Sequence, residues 1–380
     1  VTVTQITHHD LDGYGAVAIV GNHVDVARIV HVPRYSDVGP VVEEELKRLS
    51  KAEASETLIM TDLGLEPVAV KFLKSFVAMN RKRGEDARHR LIVLDHHASS
   101  IDQLRQHGVE PVDEAASPKR FELDDPDVVV LIDETCCATR MAHANRSLYA
   151  TRDGEDLTAL VEAVDALDLW KKERPTFASG LMLDEVFWDN VGNLVPVGHP
   201  WHDRFVVALL RAVSGLIDEG LAPAEIEIRV AALRRQVLDR LLDGEADDDR
   251  NLTTRMRIAR VLARSDVLFR PLSDGTLLSF GLDSGTFQRV SDLIMDRGGA
   301  KRVCNVQRTG SLSFRSNDET ALDAARKFRG GGHKDAAGGK LPAGSAFSLA
   351  DAIAQVEPIL NPPPPDRSGS PFAALKDWKG

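Results

Sequence analysis

Cysteine is scarce in this chain, three in 380 residues, and two of the three, Cys136 and Cys137, are adjacent. Neighbouring thiols cannot tie distant loops together. That excludes a disulfide framework of the secreted kind and leads us to expect a reducing compartment. Long apolar runs are missing too. None reaches the roughly 18 residues that a membrane-spanning helix needs, and the first residues read directly as a strand, without a charged-then-apolar leader. A cytoplasmic protein that does not span a membrane is expected. Positive charge is in deficit, with 47 Lys and Arg against 58 Asp and Glu and a net charge of −11. This argues against tight, sequence-independent binding of long nucleic acid over the whole surface and leaves only a local basic patch open. Aromatic residues make up 5% of the chain. Trp170, Trp188 and Trp201 are read as packing residues first and base-stacking residues second.

What the chain does have is an alternation of strand-like and helix-like segments through its first half. Strands are read at Val3 to Thr7, Val26 to Val32, Thr57 to Thr61, Leu91 to Leu94 and Val128 to Ile132. Between and after them, helical periodicity falls at about 14–22, 40–49, 67–83, 137–149 and 158–169. The pattern predicts an α/β fold with a doubly wound parallel sheet over residues 1–185. Residues 186–265 read as a helical connector, with the acidic run Asp243 to Asp249 as a solvated loop. Short strands return over 266–360, predicting a smaller α/β domain, and 361–380 form a Pro-rich tail. An amphipathic stripe in the connector that neither domain needs must be covered by something, which leaves a homodimer open.

Three of the predicted strands end on acids and imidazoles: His8-His9-Asp10-Leu11-Asp12-Gly13, a lone Asp62, and Asp95-His96-His97. In parallel sheets ligands bind beyond the carboxyl ends of the strands, so these groups should share one crevice. Two carboxylates about 4 Å apart repel by roughly 4 kcal/mol at an effective dielectric near 20, and a pocket of four or five therefore calls for cations. His8, Asp10 and Asp12 alternate at period two, which on an extended backbone points all three to one side and His9 away. Imidazole with carboxylates and no thiolate suits Mn²⁺, with Mg²⁺ or Zn²⁺ as alternatives. Two such ions activate water and offset charge on phosphorus, so phosphoester hydrolysis is the expected chemistry. Alone, Asp95-His96-His97 would be a surface turn. The spaced carboxylates around it are what favour the site.

The ordered series His8-x-Asp10-x-Asp12-Gly13, Asp62, Asp95-His96-His97 and, far downstream, Gly330-Gly331-Gly332-His333 resembles the DHH phosphoesterase superfamily with its DHH-associated C-terminal domain (DHHA1). The resemblance covers about 1–185 and 266–345. It implies that His8 and Asp10 hold one metal, Asp12 and His96 the other, and Asp62 bridges them. Asp95 would orient an imidazole, and His97 would contact the scissile phosphate or protonate the leaving oxygen. A further aspartate ligand is expected after a later apolar segment; Asp165 is the first choice, then Asp168, then Asp133, with an ordinary helix-face acid as the alternative for Asp165. In the second domain the resemblance assigns substrate binding to Ser313, Arg315 and Gly330 to His333, with Arg329 a weaker candidate. Successive glycines allow backbone N–H groups to approach a phosphate, although a plain flexible loop would also use them. The expected protein is a two-metal phosphodiesterase or phosphatase, most simply with Mn²⁺, acting on short oligoribonucleotides or mono- and dinucleotides. A RecJ-like single-strand exonuclease is the runner-up, followed by a pyrophosphatase and by a nucleotide sensor without activity.

Overall fold

The computed structural model describes residues 1–245 and 248–363, so part of the acidic run 243–249 and the Pro-rich tail from 364 onward lie outside the described residues. The chain divides into two compact units, one comprising Val1–Val191 and Asp203–Leu241, the other Gly192–His202 and the chain from Leu242 onward.

In the first unit the order is β1 (Thr2–His8), α1 (Leu11–His23), β2 (Arg28–Val32), α2 (Tyr35–Leu49), β3 (Glu56–Thr61), α3 (Pro67–Asn80), β4 (Arg90–Asp95), α4 (Ala98–Gln106), β5 (Lys119–Phe121), β6 (Val128–Ile132), α5 (Ala138–Ala144), α6 (Thr158–Asp168) and α7 (Phe177–Asn190). The sheet order is β2-β1-β3-β4-β6-β5, all parallel except the edge strand β5. Its strand β4 is apolar on both faces because helices cover both: Leu91, Ile92, Val93 and Leu94 are all buried. On one face Ile6, Met60, Val93 and Val130 pack with Val42, Leu73 and Phe76 of α2 and α3. Each such side chain contributes about 1.5–3 kcal/mol of burial. The other face carries a polar seam in which Gln5 Nε2 donates to Thr61 Oγ1 at 3.0 Å and Thr61 Oγ1 to Thr7 Oγ1 at 2.9 Å. Helices α1, α5 and α6 pack against one another. Gly15 permits the closest approach, since a Cβ there would lie 2.3 Å from Thr139 Oγ1.

The expected doubly wound parallel sheet is therefore present. The chain leaves β1 for β2 and then returns past β1 to β3, which makes the β1/β3 boundary the point where winding reverses. In such sheets ligands bind at that point, beyond the carboxyl ends of the strands. The helix read from about residue 40 starts at Tyr35 instead and takes Pro40 inside it. α4, α7 and the three-residue β5 are additions to the sequence reading.

Next come α8 (Trp201–Asp218) and α9 (Pro223–Leu242), then α10 (Thr254–Leu262), β7 (Arg270–Pro271), β8 (Leu277–Phe280), α11 (Ser284–Asp296), β9 (Arg302–Val306), β10 (Ser311–Ser316), α12 (Ala321–Arg326), β11 (Gly331–Gly332), β12 (Ala336–Lys340) and α13 (Leu349–Leu360). Residues 186–265, read as one connector, are split between the units: 203–241 group with the first, and the residues from Leu242, with α10, group with the second. The second unit holds a six-stranded sheet, β11-β12-β10-β9-β8-β7, antiparallel apart from β8 and β9. Leu278, Cys304, Val306 and Phe314 form its core with Ala324, Phe328 and Val356. No helix among the described residues is long and apolar enough to cross a membrane. All three cysteines are free and buried.

Candidate metal centre

His8 is the last residue of β1, and the backbone stops being a strand immediately after it. Asp10 is the N-cap of α1: its Oδ1 accepts from Gly13 N at 2.9 Å while its Oδ2 lies 2.5 Å from His8 Nδ1. Asp12 falls in the first helical turn. The extended zigzag expected for His8, Asp10 and Asp12 is thus corrected. A strand end, a cap and a first turn, in direct succession, bring the three together. Gly13 is required by this tight succession, since a Cβ would sit 2.2 Å from the His8 carbonyl oxygen. His9 turns away, its ring 5.5 Å from that of Tyr14 and 5.6 Å from that of His31.

Asp62 follows β3 in a left-handed backbone, φ 55, with 4% of its surface exposed. Its Oδ1 is 3.2 Å from His96 Nε2, whereas no N–H or O–H of the described protein reaches its buried Oδ2. Asp12 Oδ2 lies 3.7 Å from the same His96 nitrogen, and Asp168 Oδ2 lies 3.7 Å from His96 Nδ1. Asp12 is held in place from behind, its two oxygens accepting Ala138 N at 2.7 Å and Thr139 N at 2.8 Å. Asp95, fully buried at the end of β4, accepts His97 Nδ1 at 2.7 Å and the Ser100 hydroxyl. Three sets therefore converge: His8, Asp10 and Asp62; Asp12, His96 and Asp168; and Asp62, His96 and His97. In each, one ligand atom per residue lies within 4.8 Å of the others.

Asp165, the first choice for the last ligand, is not in these sets. It is fully buried and already neutralised: Oδ1 accepts Cys137 N at 2.9 Å, and Oδ2 faces Arg174 at 2.7 Å, Arg140 at 3.2 Å and Lys171 at 3.3 Å. Asp168, three residues on, reaches the centre instead. Asp133 is occupied in its own turn with Thr135 and by Ser117.

Electrostatics mark the same groups. Burial, followed by repulsion from Asp12 and Asp10, holds the Asp62 carboxyl well above the ordinary carboxylate range. Asp168 is pushed up to about 8 by withdrawal from water and by the charges of Asp12 and Asp10. Asp10 moves the opposite way. Burial opposes ionisation there, but His8 and the Gly13 N–H outweigh it and bring the pKa to about 2. His97 is raised: burial opposes this, but its bond to Asp95 more than offsets it. Several carboxyls crowded until some hold protons, with one buried oxygen unpartnered, fit a divalent cation well: hard oxygen donors and imidazole are present, and no thiolate. Sequence reasoning missed Tyr35, whose hydroxyl lies 3.0 Å from His97 Nε2 and whose ring stacks on His8 at 5.5 Å and 22°.

In the second unit Ser313 and Arg315 lie on β10, and Arg315 bonds Gln288 Oε1 at 2.8 Å and its own strand's Phe314 carbonyl at 2.9 Å. The glycines have a structural explanation that the sequence did not reveal. A Cβ on Gly330 would sit 1.9 Å from the Gly338 carbonyl oxygen, and one on Gly332, which adopts φ 142, would sit 2.7 Å from Ala336 O. Only Gly331 has open space, and it is exposed alongside His333.

No protein-family model matches the chain. A curated 3′,5′-cyclic-nucleotide phosphodiesterase of Helicobacter pylori (strain ATCC 700392 / 26695) is 22% identical over 372 residues, 94% of this chain and 99% of that protein. The crystal structure of an uncharacterised protein from Helicobacter pylori G27 shares the fold, with a TM-score of 0.72 at 19% identity over 95% of this chain and 99% of the other. RecJ of Thermus thermophilus, solved with Mn²⁺, aligns over 96% of this chain and 52% of its own at 17% identity and a TM-score of 0.26. The name of the curated relative, a phosphodiesterase, falls in the same reaction class as the phosphoester hydrolysis expected from the motifs.

Proposed function

We propose that this chain is a two-metal phosphodiesterase or phosphatase of small nucleotides. In this reading His8, Asp10 and Asp62 hold one divalent cation and Asp12, His96 and Asp168 the other, with Asp62 common to both. Asp62 carries the reading: it is a buried acid in a left-handed backbone with one oxygen left without a protein partner, and a bound cation would give that oxygen its partner. Bound divalent cations supply acidified water and charge compensation at a phosphoryl oxygen, and Mn²⁺ suits these donors.

The chain's own contribution is placement. Asp95 and Ser100 fix the His97 ring, so that its Nδ1–H is committed to Asp95 and only Nε2 can address a substrate. Protonated at Nε2, His97 would bond a phosphoryl oxygen or donate to the departing one once Tyr35 gives way. Ser313, Arg315 and the Gly331–His333 edge are assigned to anion binding on the second unit, with Arg315 the directional donor. The curated relative makes cyclic nucleotides the first substrates to try, beside the short RNAs and dinucleotides that the motif resemblance suggests.

The test is a panel of cyclic nucleotides, dinucleotides, short RNAs and long single-stranded DNA, incubated with Mn²⁺ and separated by chromatography. Small substrates should be turned over faster than the long strand at equal ends. Losing a group that only orients a metal ligand costs about 10- to 100-fold, so Asp62→Asn should lower turnover at least ~100-fold. Faster attack on the long strand would favour an exonuclease, and binding without turnover would favour a sensor.

A further inference from the structure

Helix α6 terminates on a residue that its backbone does not favour. Trp170 N bonds Leu167 O at 2.8 Å and Lys171 N reaches back to Ala166 O at 2.8 Å, the paired reversed bonds of a helix stop in which glycine ordinarily takes the left-handed position. Tryptophan takes it here, with φ 52. A Cβ is disfavoured in that conformation, so the indole must be accounted for by something other than the turn. Core packing does not account for it either, because Trp170 is 59% exposed.

Its surroundings suggest what it is for. Phe177 props the ring at right angles, with centroids 5.2 Å apart, and Lys172 Nζ stands 5.3 Å over it. Two more cations of this connection, Lys171 and Arg174, are anchored on buried Asp165, which holds it fixed. Two residues before the indole is Asp168, a member of the set with Asp12 and His96. An exposed, propped indole with an ammonium over the ring, ready to move off it onto a phosphate, and two residues in sequence from a proposed metal ligand, has the makings of a nucleotide subsite.

We propose that Trp170 is a stacking platform for a nucleobase of the substrate, with Lys172 taking the adjoining phosphate. The identity of the occupant rests on the phosphodiesterase reading; the platform itself rests on the geometry. Every base presents a π face, so such a platform tolerates different bases. One stacked base typically changes affinity by about 5- to 150-fold.

The test compares a dinucleotide with its counterpart lacking one base, using the Mn²⁺-loaded parent, Trp170→Phe, Trp170→Leu and Trp170→Gly. For the dinucleotide, Leu and Gly should raise KM about 10-fold or more with little change in kcat, and Phe should stay near the parent. For the abasic counterpart all four should share one KM. Glycine suits this backbone, so the Gly variant keeps the experiment decisive if the Leu variant folds poorly. An unchanged ratio of the two KM values in both variants would overturn the proposal. Calorimetry with adenosine monophosphate and ribose 5-phosphate separates the two readings. If the parent hydrolyses nothing, the phosphodiesterase reading fails, and the platform still stands or falls on whether Trp170→Leu selectively weakens the base-bearing ligand.

Discussion

The Tyr35 hydroxyl donates to His97 Nε2 when that nitrogen is unprotonated, and the ring covers His8, so a single exposed side chain touches both ends of the centre. Tyr35→Phe keeps the stacking and deletes one hydrogen bond. Such a bond is worth about 0.5–1.5 kcal/mol, so kcat/KM on a dinucleotide should change about 2- to 10-fold while the melting temperature stays at the parent value. A matching loss of stability would show the contact to be structural. Residue identities at the centre are partly legible in the sequence. His8, Asp62 and His96 can be picked out because each terminates a strand or follows one directly, and Asp10 and Asp12 because they stand within four residues of a strand end. Asp165 is ranked ahead of Asp168 in the sequence, but the sequence does not show which acid of that segment is already paired. In the structure the buried Asp165 is neutralised by Arg140, Lys171 and Arg174. Tyr35 leaves no motif. Only the pairing of β1 with β2, which sets His8 opposite Val32, brings its helix alongside the ligands.

At the level of elements, α2 is tied to β3 by charge as well as by packing. Arg48 forms a bidentate pair with Glu56 at 2.9 and 2.6 Å and also bonds Glu45 at 2.7 Å, while Arg28 closes the group on Glu45. Glu45 and Glu56 are buried, and their guanidinium partners are half-exposed. Arg48→Met leaves two carboxylates short of a partner and should cost on the order of 2 kcal/mol, below the value for a fully buried pair because Arg48 still meets water. Urea unfolding measures it, and a midpoint equal to the parent would refute the assignment. Central elements are legible because a parallel strand covered on both faces must be apolar throughout, as in Leu91 to Leu94. Edge elements are not. β5 is three residues with two cations, and β11 is two glycines, neither of which gives a periodic signal. The zigzag expected over His8 to Asp12 fails for a related reason: Asp10 caps a helix, and spacing alone does not tell a cap from a continuing strand.

For the whole molecule, the two units differ in what the sequence can say of them. The motifs delimit the first, whereas the stripe on residues 203–241 shows that those helices bury a face without showing which body receives it. The second unit carries a titratable group with a readable consequence. His199 is buried, and burial followed by the nearby His202 lowers its pKa from 6.5 to about 4. Between those values the unfolded chain binds a proton that the folded unit refuses, so stability falls as pH drops through the window from 6.5 towards 4. His199→Gln should flatten that slope in urea titrations across the window, and an unchanged slope would reassign it to other groups.

The three buried thiols distribute themselves unevenly, Cys136 and Cys137 in one unit and Cys304 in the other, and burial raises the pKa of each. Modification needs the thiolate, so an alkylating reagent meets no reactive sulfur in a body that stays closed. Each body thus carries its own built-in reporter of opening, and the order in which sulfurs become labelled under denaturant ranks the two by local stability without any introduced dye.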